Sequence, residues 1–192
     1  MSRGLGDVYK RQSIKSLTRD YLYKQLLSSG EYTFDHMLVI KDPYGEAPLT
    51  ALALFILEEP ACVRVTTKGN LKETDFVTEL PKKKEHRVPI LGMYAEKAND
   101  IVIEILDDEG NCVKSHTFTI RTKRLPKSLR NVITVKKWTD KPAYSNIMIN
   151  GGVKIHTCVF DIEGKIRYYL SRKPRGYGIF PLSDGHFFYM EK

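Results

Sequence analysis

Five histidines (His36, His86, His116, His156 and His186) and three cysteines (Cys62, Cys112 and Cys158) are the side chains best able to hold a metal or attack an electrophile. Their spacing argues against local use. No two histidines are close enough in sequence to form a metal-binding pair on one turn or strand, and no cysteines show the Cys-x-x-Cys spacing of zinc or thiol redox sites. Each histidine reads as an ordinary strand residue, although strands could still bring two together in space. An odd number of widely separated cysteines reads as buried free thiols, and their disulfide state stays open. Neither a metal nor a cofactor is expected.

Charge is the other chemical candidate. The chain of 192 residues carries 31 Lys and Arg against 23 Asp and Glu, a formal net charge of +8. A polyanion-binding surface would need these cations clustered and interleaved with aromatics. The clusters are small instead: Lys82-Lys83-Lys84 beside Pro81 in an expected turn, Lys123-Arg124 before Leu125-Pro126, and Arg172, Lys173 and Arg175 around Pro174. They read as solvated turns, and no nucleic-acid partner is expected. No apolar run approaches the ~20 residues that cross a bilayer, so no membrane span is expected.

Positioning elements follow from periodicity. Ile14, Leu17, Tyr21, Leu22 and Leu26 recur at helical spacing, with Ser13 able to cap the start and Gly30 the end, which predicts a short helix over 13–30. Seven strands are expected next: Thr33–Ile40, Leu49–Leu57, Cys62–Lys68, Phe76–Leu80, His86–Leu91, Ile101–Leu106 and Cys112–Arg121. They are rich in Val, Ile, Thr and Phe, and turn chemistry such as Asp42-Pro43-Tyr44-Gly45 and Asp107-Asp108-Glu109-Gly110-Asn111 separates them. Val63 and Val65 alternate with Arg64 and Thr66, so one face is buried, whereas Leu49–Leu57 is apolar on both faces and is placed centrally. This is the pattern of an all-β, immunoglobulin-like sandwich over 31–126, without antibody cysteine spacing.

Arg121–Lys127 breaks the pattern with charge and proline and is the candidate linker. Beyond it Val153–Phe160, Ile166–Leu170, Gly178–Phe180 and His186–Met190 read as four short strands, with turns at Asp161–Lys165 and Ser183-Asp184-Gly185. Four such strands make one blade, so 127–192 is read as a linker and the incomplete start of a β-propeller. At the other end, Asp7-Val8-Tyr9-Lys10-Arg11-Gln12 back-translates as GAT GTG TAT AAG AGA CAG, which resembles a transposon end used to tag sequencing libraries. Residues 1–12 are therefore read as a sequencing-tag scar, without which the net charge falls from +8 to +6.

Asp42-Pro43-Tyr44-Gly45-Glu46-Ala47-Pro48-Leu49-Thr50-Ala51 is similar to the Asn-Pro-Tyr-Gly-x-Ala-Pro-Leu-x-Ala stretch that opens the amino-terminal domain of bacterial arylsulfate sulfotransferases. Asp42 departs from it by one residue type. Lys68-Gly69 and His86-Arg87-Val88-Pro89-Ile90-Leu91-Gly92-Met93-Tyr94 resemble that domain's Lys-Gly and His-x-x-Pro-Val-Leu-Gly-Leu-Tyr elements, in the same order, and Asn99 matches a turn further on. Chemically these motifs read as scaffold, since none supplies a nucleophile. Tyr44 and Tyr94 could line an aromatic substrate's path or serve as packed or turn tyrosines, and the second role suits their surroundings better.

The resemblance implies that the parent protein moves a sulfuryl group from a phenolic sulfate ester to a phenol acceptor through a transiently sulfated histidine, without a cofactor. It also implies a homodimer, favours an extracytoplasmic compartment, and puts the catalytic residues beyond residue 192, since His156 and His186 come too early. The fragment alone is then inert, and no substrate-binding residue is assigned. A non-enzymatic sandwich used for binding or adhesion is the rival reading.

Overall fold

The computed structural model describes residues 5–136, 146–149, 156–171, 179–181 and 187–189, with side chains over 17–136 and 156–171. It opens on one helix, α1 (Leu5–Ser28), which runs through residues 5–12 without a break. Ser13 is therefore inside the helix and does not cap it. Gly30 ends it as expected: its backbone is left-handed (φ 73°) and its N–H donates to the Leu27 carbonyl.

The buried face of α1 is not the expected one. Leu17, Tyr21 and Leu22 are 63%, 65% and 52% exposed, whereas Tyr23 and Leu27 are 4% and 3% exposed. Tyr23 and Leu27, one turn apart, pack with Leu52 and Leu54 into a small core of their own. The Tyr23 hydroxyl donates to the Pro43 carbonyl, and Asp20 accepts from Arg87 and from the Tyr44 hydroxyl. Of the expected stripe only Leu26, among the described residues, packs partly on this core, and a buried tyrosine with a polar anchor for its hydroxyl outranks it.

Five strands follow, β1 (Leu38–Lys41), β2 (Ala51–Thr67), β3 (Phe76–Ile90), β4 (Ala98–Leu106) and β5 (Cys112–Arg121). The expected segments are nearly all strand, but four of the seven are halves of two long ones. Leu49–Leu57 and Cys62–Lys68 are joined in β2, and Phe76–Leu80 and His86–Leu91 in β3, so Pro81-Lys82-Lys83-Lys84 is an exposed stretch of strand and no turn. The expected Thr33–Ile40 shrinks to β1 plus an isolated bridge from Thr33 to Ile56.

β3 lies along one side of β2 for its whole length; the other side pairs with β1 over Ala51–Leu54 and with β4 over Cys62–Thr67. β5 closes the far edge on β4. Register shifts between Ile56 and Val63 mark where the sheet bends. From the Ile56↔Glu85 pair to the Val63↔Leu80 pair, β2 advances seven residues and β3 five, an even difference, so the alternation of faces survives the bend. Ala51, Ala53 and Phe55 before it and Val63 and Val65 after it therefore share one core with Val88, Ile90, Ile101 and Ile103. One hydrogen-bonded sheet of five strands, whose longest strand changes partner from β1 to β4 across its irregular stretch, is consistent with an immunoglobulin-like sandwich. The doubly apolar run of β2 is central, as expected, and its second face is covered by α1.

After β5 the chain leaves extended structure at Arg121, makes one turn of 3-10 helix at Lys127–Leu129, and packs Leu129 and Ile133 on the sandwich core. β6 (Asn146–Ile149), β7 (Cys158–Asp161) and β8 (Ile166–Tyr169) form a three-stranded antiparallel sheet. β9 (Ile179–Pro181) and β10 (Phe187–Tyr189) form a separate pair. The expected four-stranded blade is thus divided between two sheets, β6 was not foreseen, and no propeller sheet is present among the described residues. Gly178, Ser183-Asp184-Gly185, His186, Met190 and the cationic Arg172, Lys173 and Arg175 lie outside the described residues.

Candidate functional site

The β7–β8 hairpin does not stand apart from the sandwich. Cys158, Phe160, Ile166 and Tyr169 join the sandwich core, and the hairpin turn closes with Gly164 in the left-handed region (φ 75°). At the seam the sequence places an ion pair, Arg167 and Asp161, with side chains 1% and 0% exposed. Burying two charges is unfavourable unless each is matched by hydrogen bonds, and the surrounding loops supply them.

Arg167 Nε donates to the Gly92 carbonyl (2.6 Å), and Nη1 donates to the Thr74 carbonyl (2.8 Å), the Tyr94 hydroxyl (2.9 Å) and Asp161 Oδ2 (3.2 Å). The Tyr94 hydroxyl donates to Asp161 Oδ2 (2.9 Å) and accepts from the Asn70 N–H (3.1 Å). The guanidinium also lies 3.9 Å from the Tyr94 ring centroid. Asp161 Oδ1 accepts the N–H groups of Glu163 and Lys165, which shapes the hairpin turn. Only Arg167 Nη2 is buried without a partner here.

Local sequence explains why the loops present these groups. Gly92 has φ 75°, and an added Cβ would sit 2.7 Å from Phe76 Cβ, so only glycine turns the chain here and exposes its carbonyl to Arg167. Asn99, 1% exposed, accepts from the Tyr94 N–H (2.7 Å) and donates to the Tyr94 carbonyl (3.0 Å), holding the loop that carries the tyrosine. Gly69 donates to Asp75 Oδ1 (2.7 Å), and an added Cβ there would lie 2.2 Å from Thr74 Oγ1. Gly69, Gly92, Tyr94 and Asn99 were legible as motif residues; Arg167 and Asp161 were not, because nothing in Ile166-Arg167-Tyr168-Tyr169 distinguishes a buried arginine from a surface one.

This arrangement can hold two sheets together. Burial, first of all, raises the Tyr94 pKa, so the phenol stays protonated and acts as a donor. Tyr44 is an exposed turn residue bonded to Asp20. His86 is buried and stacked on Phe55 (centroids 5.3 Å apart), with Nε2 2.8 Å from the Lys83 carbonyl. His156 Nδ1 lies 2.7 Å from the Leu170 carbonyl, and His36 and His116 lie elsewhere on the sandwich. The three cysteines are free thiols; Cys158 is buried as expected, whereas Cys62 is half-buried and Cys112 exposed. No group of three metal-ligating side chains occurs among the described residues, and no helix there is long and apolar enough to cross a membrane.

Among curated proteins nothing matches the chain. Residues 38–123, from the first residue of β1 to just past β5, match the family model described as the arylsulfotransferase Ig-like domain. The sandwich of this chain is therefore an Ig-like arylsulfotransferase amino-terminal domain.

Proposed function

We propose that the chain is the amino-terminal part of an arylsulfate sulfotransferase, and that its own residues form a non-catalytic scaffold that seats the portion following the sandwich. The family match over 38–123 carries this reading. The buried seam supports it, because Gly92 and Tyr94 of the second family-like motif are spent on holding Asp161 and Arg167, which lie beyond the matched region.

In this reading the whole enzyme transfers a sulfuryl group from a phenolic sulfate ester to a phenol, through a histidine beyond Lys192, inside a propeller. The nitrogen attacks sulfur, the S–O ester bond breaks and the phenolate leaves; the acceptor phenol then takes the group from nitrogen. The enzyme is extracytoplasmic and homodimeric, with the sandwich contributing contacts through free edges such as that of β5. It binds no nucleic acid.

The test is to recover the uninterrupted reading frame and assay both proteins with 4-nitrophenyl sulfate and a phenol acceptor. The full protein is expected to release 4-nitrophenol only with acceptor present, and Ser13–Lys192 to release none. Sulfate transfer by Ser13–Lys192, or a complete frame with no further strand repeats and no transfer, overturns the proposal. The second outcome would favour a binding module.

A further inference from the structure

Along one side, β2 is paired by β1 over Ala51–Leu54 and by β4 over Cys62–Thr67, and between them by an isolated bridge from Thr33 to Ile56. Residues 57–61 therefore meet no strand on that side among the described residues. A cavity of about 400 Å³ lies in the vacant lane, within the range of small-molecule sites, roughly 300–1,000 Å³. The walls it offers to a ligand are mainly apolar, because Ile56, Ala61 and Ile105 stay half-buried and Pro60 is exposed.

One cation of the chain already sits at this cavity. Lys114, on β5, lines it and sets its Nζ 2.7 Å from Asp35 Oδ2 and 5.4 Å from the centre of the Phe34 ring. Edge-on packing against Phe55 and His116 holds Phe34 for that contact. An ammonium on an alkyl stem is thus seated between a carboxylate and an aromatic ring. Two further carboxylates line the cavity, those of Glu58 and Glu59, and both side chains are exposed. Among the described residues, neither has a cation within ion-pair distance. With Asp35 spent on Lys114, they leave the cavity two negative charges in a chain whose net charge is +8.

We infer that this cavity binds a second ammonium of the same kind, a small protonated primary amine with a compact apolar body. The body lies against Ile56, Pro60 and Ile105, and the head is met by Glu58 and Glu59. A bare ammonium ion would leave the apolar walls wet, a neutral isostere would leave the carboxylates unmatched, and an anion of the same shape would be repelled. The inference stands on the cavity and does not rest on the sulfotransferase reading. Because the two carboxylates are solvent-accessible, affinity falls as salt is raised.

Titrating isotopically labelled full chain with benzylammonium chloride at neutral pH, and following backbone amide shifts, tests this directly. Saturable shifts are expected around Phe34, Glu59 and Lys114, with benzyl alcohol, benzoate and methylammonium each binding at least about tenfold more weakly. Replacing both carboxylates, Glu58→Gln with Glu59→Gln, is expected to weaken benzylammonium by roughly tenfold, the weight of a charge-assisted hydrogen bond. Lys114→Gln, which releases Asp35 to the ligand, is expected to strengthen it by about threefold, the scale of an exposed ion pair. Glu73→Gln, in the loop between β2 and β3, leaves it unchanged. Because Glu58 and Glu59 are exposed, the double variant keeps the fold, which its urea midpoint checks. Absence of saturable shifts at millimolar ligand, shifts elsewhere on the molecule, an unchanged affinity in the double variant, or weaker binding by Lys114→Gln would overturn the site. Equal affinity for benzyl alcohol or for methylammonium would overturn the ligand class.

Discussion

Tyr94 is a single hydroxyl on which a buried carboxylate, a buried guanidinium and a backbone N–H all depend. Tyr94→Phe keeps the ring under Arg167 but strips the hydroxyl, and is expected to cost about 1–3 kcal/mol. Arg167→Met should cost more, about 3–5 kcal/mol, because it leaves Asp161 charged and unpaired in the interior, and adding Asp161→Asn should recover part of the loss. Urea midpoints of the four proteins check both statements, and a double variant no better than Arg167→Met would show that the ion pair is not what holds the seam. His86 makes a prediction of a different kind. Burial pulls its pKa below the ordinary 6.5, against the upward effect of the Lys83 and Ala61 carbonyls. The unfolded chain therefore takes up the proton first as pH falls, so stability is full above about pH 6.5 and drains between that value and the lower folded one. Denaturation midpoints from about pH 7.5 to about pH 5 should decline in the native protein, and His86→Gln should be less stable at neutral pH but flatter across that range.

Among the elements, α1 and the β2–β3 pair show most clearly what a one-dimensional reading can and cannot see. Six of the seven expected extended segments were legible from alternation and turn residues, the first being reduced to β1 and one isolated bridge, and the register shifts of β2 coincide with a gap in that pattern. What was not legible was that the chain continues through the gaps as strand, because Glu58-Glu59-Pro60 and Pro81-Lys82-Lys83-Lys84 carry the composition of turns. Charge and proline at these places suit an exposed edge equally well. The helix was legible in type and at its end, but not in its buried face, since periodicity ranks apolar residues without knowing which of them meets a partner. Leu27→Ala is accordingly expected to cost about 2–4 kcal/mol, and Leu22→Ala, on the face expected to be buried, to stay within about 0.5 kcal/mol. Thermal unfolding of the two variants discriminates the faces, and equal losses would mean that α1 docks in another orientation.

For the molecule as a whole, a cut near Pro126 would divide residues that share one interior. Leu129, Cys158, Phe160, Ile166 and Tyr169 lie in the same core as Phe55 and Val65. A chain ending at Pro126 is expected to bind a hydrophobic dye and melt well below one ending at Ser171, and indistinguishable melting curves would support a domain boundary near Pro126. The scaffold role was legible because turn-forming motif residues have recognisable chemistry, whereas the seam that fulfils it depends on contacts more than sixty residues apart, such as Tyr94 with Asp161. The β2–β3 hairpin has a consequence for how this molecule comes into being. Its first rungs, Thr67↔Phe76 and Thr66↔Val77, close a short loop, and every later rung down to Ala51↔Ile90 adds to a ladder already begun. Loop-closure entropy is thus met in small instalments rather than at once. Assembly can run outward from that turn like a zip fastener, with β4 and β5 arriving on one half and β1 on the other, so that slowing the turn around Gly69 should delay both halves together.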